Sequence, residues 1–150
     1  VYIPFQKEEL PAVVGHPDLK IVSGIVHSSQ KVGPLKGAYP VNSAHGIATE
    51  KPFLFSVKEN ENGLLYLLNG RGRLEGYGIL DHSILYHMSA GEYTAHLEKG
   101  TKVFFISAAP ILEKVESYGP FVMNNQKEIM EAMRDYQMGK MGYLVERDMP

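Results

Sequence analysis

"GEYTAHLEKGTKVFFISA", residues 91–108, reads as two strands and the turn between them. In EYTAHL (92–97) a period of two puts Tyr93, Ala95 and Leu97 on one face and Glu92, Thr94 and His96 on the other. EKGT (98–101) supplies turn formers, and KVFFISA (102–108), rich in β-branched and aromatic residues, reads as a buried strand. The same cadence runs upstream to residue 52. PFLFSVK is a strand, ENENG (59–63) a turn, and LLYLL (64–68), apolar on both faces, a central strand. NGRG (69–72) carries the Asn-Gly signal of a tight hairpin. GYGIL (76–80) continues the pairing and DHS (81–83) turns the chain. ILYHM (84–88) then alternates, with Ile84, Tyr86 and Met88 opposite Leu85 and His87.

The first fifty residues read as loop-rich, broken by many prolines and glycines, with LKIVSGIV (19–26) as their strand. Six or so short strands separated by turns predict an antiparallel sandwich or jelly-roll barrel, a mostly β fold. The chain closes differently. Asn125 is placed to cap a helix, with Glu128 three residues on completing a capping box. Ile129, Met133 and Tyr136 form one stripe, and Gly139 is the left-handed residue that ends the helix.

Composition narrows the function classes. One hundred and fifty residues, 44% hydrophobic and 21% charged, fit a single globular domain. A formal net charge of −2, with the basic residues scattered, argues against nucleic-acid binding. No apolar run is long enough to span a bilayer as a helix. The absence of cysteine excludes disulfide and thiolate chemistry and suits a cytoplasmic protein. The chain opens with valine rather than methionine, which reads as a piece cut or processed from a longer protein.

Catalytic constellations are sparse. No H-x-H pair occurs among the six histidines. His82 and His87, five apart, would sit ~17 Å from each other along a strand and on opposite faces. His87 and His96 could face each other across a hairpin, but His96 lies on the polar face of its strand. The histidines, including His27 and His45 in loop-rich segments, therefore read as solvated or singly hydrogen-bonded side chains rather than metal ligands. SGIVHSS (23–29) brings serine and histidine together without a nucleophile elbow. GRGRLEGYG (70–78) is followed by no helix, so its glycines read as turn residues rather than a phosphate cradle.

YGPFVMNNQKEIMEAMRDYQMGKMG (118–142) resembles the C-terminal signature of the pirin family. Gly119, Pro120, Phe121, Val122, Met123 and Asn124 match the family's turn. Glu128, Ile129, Ala132, Asp135, Tyr136, Gly139 and Gly142 match its helix and exit, while Asn125 stands where the family has threonine or serine. LKIVSGIV and LLYLLNGRGRL resemble, more loosely, strands of the same family's second barrel. The resemblance implies a cupin-type jelly-roll barrel with one C-terminal helix, residues 1–150 forming a single cupin domain. It also implies that an iron-type divalent metal is held in an N-terminal cupin absent from this chain. Where a cupin's H-x-H would fall, just before LLYLL, this chain reads KENENG, and the later histidine position reads Lys102. No catalytic residue, metal ligand or cofactor is therefore expected in this chain.

The function this implies is a non-catalytic module packing against its own N-terminal cupin or a partner chain. Gly119–Asn124 would be the packing motif and Phe121 its anchor. One alternative is part of a metal-dependent quercetin 2,3-dioxygenase-like enzyme whose active site lies in the other domain. Another is a module that binds a protein partner in transcriptional co-regulation. Neither nucleic acid nor membrane is an expected partner. A barrel pocket for a small apolar ligand, lined by Tyr66, Tyr86, Tyr93 and Phe105, is a further expectation.

Overall fold

The computed structural model describes residues 4–27, 31–82 and 84–142, so Ser28 and Ser29 of the Ser/His stretch and Ser83 of the DHS turn lie outside the described residues. The chain divides into two compact units, Val1–Pro110 and Ile111–Pro150. In the first, the strands run in chain order β1 (Ala12–Val13), β2 (His16–Gly24), β3 (Gly33–Pro34), β4 (Val41–Ile47), β5 (Phe53–Val57), β6 (Asn62–Leu67), β7 (Arg71–Leu74), β8 (Gly78–Asp81), β9 (Leu85–Met88), β10 (Gly91–Leu97) and β11 (Lys102–Ala108). They form two antiparallel sheets. The larger has the order β1-β2-β4-β11-β6-β9, with β3 beside β2, and the smaller the order β5-β10-β7-β8.

Alternation decides what each strand buries. Tyr93, Ala95 and Leu97 of β10 point inward and His96 outward, as the period of two predicts. β6 is interior to its sheet, between β11 and β9, and it buries Leu65 and Leu67. The two sheets meet over aromatic rings. Phe53 and Phe55 of the small sheet stack at 5.1 Å, Phe55 stacks on Tyr93 at 5.2 Å, and Phe105 of the large sheet closes on Phe55 at 4.8 Å. Each such side chain contributes ~1.5–3 kcal/mol through burial alone.

Three expectations are corrected here. Asn69-Gly70 does not close a hairpin: it carries the chain from β6 in the large sheet to β7 in the small one. Asn69 Oδ1 accepts from the Lys102 backbone N–H at 2.6 Å, which fixes the crossing. β9 and β10 likewise belong to different sheets, so His87 and His96 are not hairpin partners. From β4 to β11 the chain changes sheet at nearly every connection, and the hairpin within that run is β7–β8, through Glu75–Tyr77.

The third correction concerns the first fifty residues, which hold four strands rather than one. β4 sits in the middle of the large sheet, between β2 and β11. Its sequence, VNSAHGI, hides this, because its inward residue is the small Ala44 and its outer positions include Ser43 and His45. Gly46 has φ +149°, and a Cβ there would lie 2.0 Å from the Asp18 carbonyl oxygen, so β2 and β4 approach closely only because the side chain is missing.

Polar groups enclosed by the sandwich are paired. His16, buried at the start of β2, accepts the Thr49 backbone N–H on Nδ1 (3.0 Å) and donates from Nε2 to the Pro52 carbonyl (3.1 Å). Those partners select the tautomer that carries its proton on Nε2. Ser107, also buried, donates to Glu61 Oε2 at 2.8 Å, and Asn42 Nδ2 donates to the same carboxylate at 3.1 Å. This ties the β5–β6 turn to β4 and β11.

In the second unit, β12 (Glu116–Tyr118) and β13 (Phe121–Met123) form a hairpin, and α1 (Gln126–Gln137) packs against it. Gly119-Pro120 is its two-residue loop. Gly119 has φ +54°, the positive value that the first loop position of a II′ turn demands, while proline presets the second. Asn125 caps α1, its side chain accepting from the Glu128 N–H at 3.0 Å. The Glu128 carboxylate reaches back to the Asn124 N–H (3.0 Å) rather than to Asn125. Gly139, φ +70°, follows the last turn. The buried stripe is Ile129 and Ala132 with Met133 beside them, and Tyr136, expected in that stripe, is 65% exposed.

Candidate functional site

Of the four residues expected to line a pocket, Tyr86, Tyr93 and Phe105 face one core and Tyr66 does not. Tyr93 and Phe105 lie in the aromatic stack that fills the space between the sheets. Tyr86, opposite Leu65, is half-buried against that core, and its hydroxyl accepts the Asp81 backbone N–H at 2.7 Å. Tyr66 falls between Leu65 and Leu67, so the pleat turns it to the other side of the sheet. The interior is packed where a cavity was expected. Burial, with Tyr77 alongside, raises the Tyr93 hydroxyl above its ordinary range, and that hydroxyl donates to the Ser89 carbonyl at 2.7 Å.

Of the turn motif, Phe121 and Met123 are half-buried, and the Phe121 ring meets Tyr136 edge-on at 6.0 Å. Val122 points the opposite way and is 63% exposed. Asn124 braces the hairpin, its Nδ2 donating to the Lys114 carbonyl (3.0 Å) and to Glu113 Oε2 (3.1 Å).

Among the described residues, no three His, Asp or Glu side chains are grouped to hold a metal ion. Two of the histidines are engaged with carboxylates. His96 Nε2 lies 2.7 Å from Glu75 Oε1, and His82 Nδ1 lies 3.0 Å from Asp81 Oδ1. The His82 backbone N–H, and secondarily the Arg71 guanidinium, hold the Asp81 carboxyl below the usual carboxylate range. In KENENG, Glu61 is committed to Ser107 and Asn42, and Lys102 offers a cation where a cupin ligand would stand. This donor set does not fit a divalent metal.

The largest concavity described was not anticipated from the sequence. It is a cleft of about 590 Å³ on the outer face of the large sheet, walled by Phe5 and Leu10 of the N-terminal segment and floored by Val22, Ile47 and Leu68. Lys20, His45 and Lys102 line it too. The residues come from β2, β4 and β11, and only the register makes them neighbours. A smaller apolar cleft of about 390 Å³ is lined by residues including Val13, Val26, Lys51 and Leu54. Among the described residues no helix is long and apolar enough to cross a membrane.

Residues 45–142, well over half of the chain, match the family model of the pirin C-terminal cupin domain. A pirin-like protein of Solanum lycopersicum is 37% identical over 95 residues, covering 58% of this chain and 32% of its own length. A pirin-like protein of Caulobacter vibrioides is 26% identical over 149 residues, covering 93% of this chain and 51% of its own length. The crystal structure of a quercetin 2,3-dioxygenase from Acinetobacter baumannii superposes with a TM-score of 0.77 at 25% identity, over 93% of this chain and 50% of that one. The chain thus spans about half the length, or less, of these relatives. With the sandwich, the hairpin and the capped helix all in place, the chain belongs to the pirin family, as a pirin C-terminal cupin domain.

Proposed function

We propose that this chain is the non-catalytic, metal-free cupin module of a pirin-like protein and packs against a metal-bearing cupin. The observation that carries this reading is the interior. Phe53, Phe55, Phe105 and Tyr93 occupy the space where a cupin active site needs ligands and room for substrate. The test is metal content and oxygen uptake with quercetin, measured on the 150-residue chain alone. Metal well below one equivalent and no uptake are expected. One tightly held metal ion per chain, or flavonol-dependent oxygen consumption, would overturn the reading.

A second reading makes the module one half of a quercetin 2,3-dioxygenase-like enzyme, with the reaction in the other half. The Acinetobacter structure favours it, because that dioxygenase is about twice the length matched here. Both readings place the contact at the 118–124 hairpin. Phe121 braces the hairpin against its own helix, and Val122 presents the apolar side chain outward. Val122→Asp should therefore change the stability of the isolated chain by no more than about 0.5 kcal/mol. In a two-barrel pirin-like chain carrying this module, it should split one thermal transition into two. A single undisturbed transition there would remove the hairpin from the contact.

A further inference from the structure

The outer face of the large sheet brings two lysines and a histidine together. Lys20 of β2 lies directly opposite His45 of β4, so both side chains share one face. Lys102 of β11 lies opposite Ile47, two residues along from His45 and on the same face, a diagonal neighbour at roughly 7–8 Å. The acidic residue in the cleft, Asp18, is engaged by Lys7 at 3.1 Å. Lys20 and Lys102 make no side-chain hydrogen bond or ion pair among the described residues. The chain as a whole carries −2, so a local excess of positive charge here runs against its average.

The floor beneath these cations is apolar. Val22, Ile47 and Leu68 form it, and Ile47 and Leu68 are 38% and 45% exposed. A cleft of about 590 Å³ lies in the range of small-molecule sites. Apolar walls with a few convergent polar groups are the usual composition of such sites. A second copy of the chain seated face to face would bring lysine against lysine. A nucleic-acid strand would need a longer basic track than one cluster provides.

We propose that this cleft is a binding site for a small organic anion with an apolar body. Its carboxylate is held by Lys20, His45 and Lys102, and its hydrocarbon lies over Val22, Ile47 and Leu68. Charge-assisted contacts to ammonium groups orient the anion, and the floor supplies the nonpolar area. The site is independent of whether the module packs on a second cupin, because it uses none of the 118–124 hairpin.

The experiment is an amide NMR titration of the chain with 2-naphthoate, and with 2-naphthylmethanol as the uncharged counterpart. Saturable binding of 2-naphthoate with a Kd below about 1 mM is expected, with shifts concentrated at Lys20, His45–Ile47 and Leu68. The alcohol should bind on the order of tenfold more weakly, and a Lys20→Ala/Lys102→Ala variant should lose on the order of tenfold for the carboxylate. Should the double variant fail to fold, Lys102→Gln alone should still weaken the carboxylate and leave the alcohol unchanged. Equal binding of acid and alcohol would overturn the proposal, as would unaltered affinity in the lysine variants. Shifts confined to the Val13/Leu54 cleft would do the same. Binding only of an acidic peptide, with no response to 2-naphthoate, would make the face a protein contact instead.

Discussion

Phe55→Ala is expected to cost the sandwich about 3–5 kcal/mol, the range for emptying a fully buried aromatic position. Phe55 is 0% exposed and touches three other rings, two from its own sheet and one across the interface. Removing it takes away burial and leaves a hole that neither sheet can collapse into, since both are pinned by backbone ladders. In a chain of this length each kcal/mol moves the midpoint by roughly 2–4 °C, so a fall of roughly 6–20 °C should appear in thermal unfolding followed by circular dichroism. Leu54→Ala, one residue away but 41% exposed on the other face, should cost only about 0.5 kcal/mol, a shift of roughly 1–2 °C. The pair tests function as well as stability. A silent Phe55→Ala would mean that the space between the sheets tolerates a void, and the case for a packed, non-catalytic interior would fail with it.

The second large effect is expected at Gly46. Gly46→Ala places a methyl group 2.0 Å from the Asp18 carbonyl oxygen, and that oxygen belongs to backbone rather than to a flexible side chain. β2 and β4 must separate, which opens the interior of the large sheet and disturbs the Lys20–His45 pairing with it. A loss of about 3 kcal/mol or more is expected, measured by urea titration. Gly76→Ala is the matched control. Its φ of +76° makes the backbone conformation costly for alanine, but nothing lies within 4 Å of the added carbon. It should lose only about 1–2 kcal/mol, the left-handed conformational cost alone. Equal losses at the two positions would mean that close strand approach is not what requires glycine at 46.

Much of the fold was legible because its signals are local. Alternation in EYTAHL and KVFFISA assigns each side chain to a face without knowledge of the neighbouring strand. The helix was equally plain, since a cap, its N–H partner three residues on and a terminal glycine all lie within one short stretch. The resemblance to pirins rested on that same stretch, and the family match over 45–142 agrees with it. Tyr136 escaped this reading because periodicity says which residues share a stripe but not where the partner surface ends.

β4 stayed hidden because a central strand that buries alanine and glycine beside a close neighbour lacks the bulky pattern by which strands are recognised. The placement of the four aromatics was hidden for a related reason. Tyr66, Tyr86, Tyr93 and Phe105 are all strand aromatics, but parity within a strand says nothing about which sheet a face opposes. The sequence by itself determined the β class, the inward and outward residues of its strongest strands, the capped helix and the family. Tertiary structure alone decided that Asn69-Gly70 crosses between sheets, that the rings close the interior, and that Lys20, His45 and Lys102 meet. Those outcomes depend on pairing and register between segments as far apart as Val41 and Ala108, and on backbone approach, none of which is written within one strand.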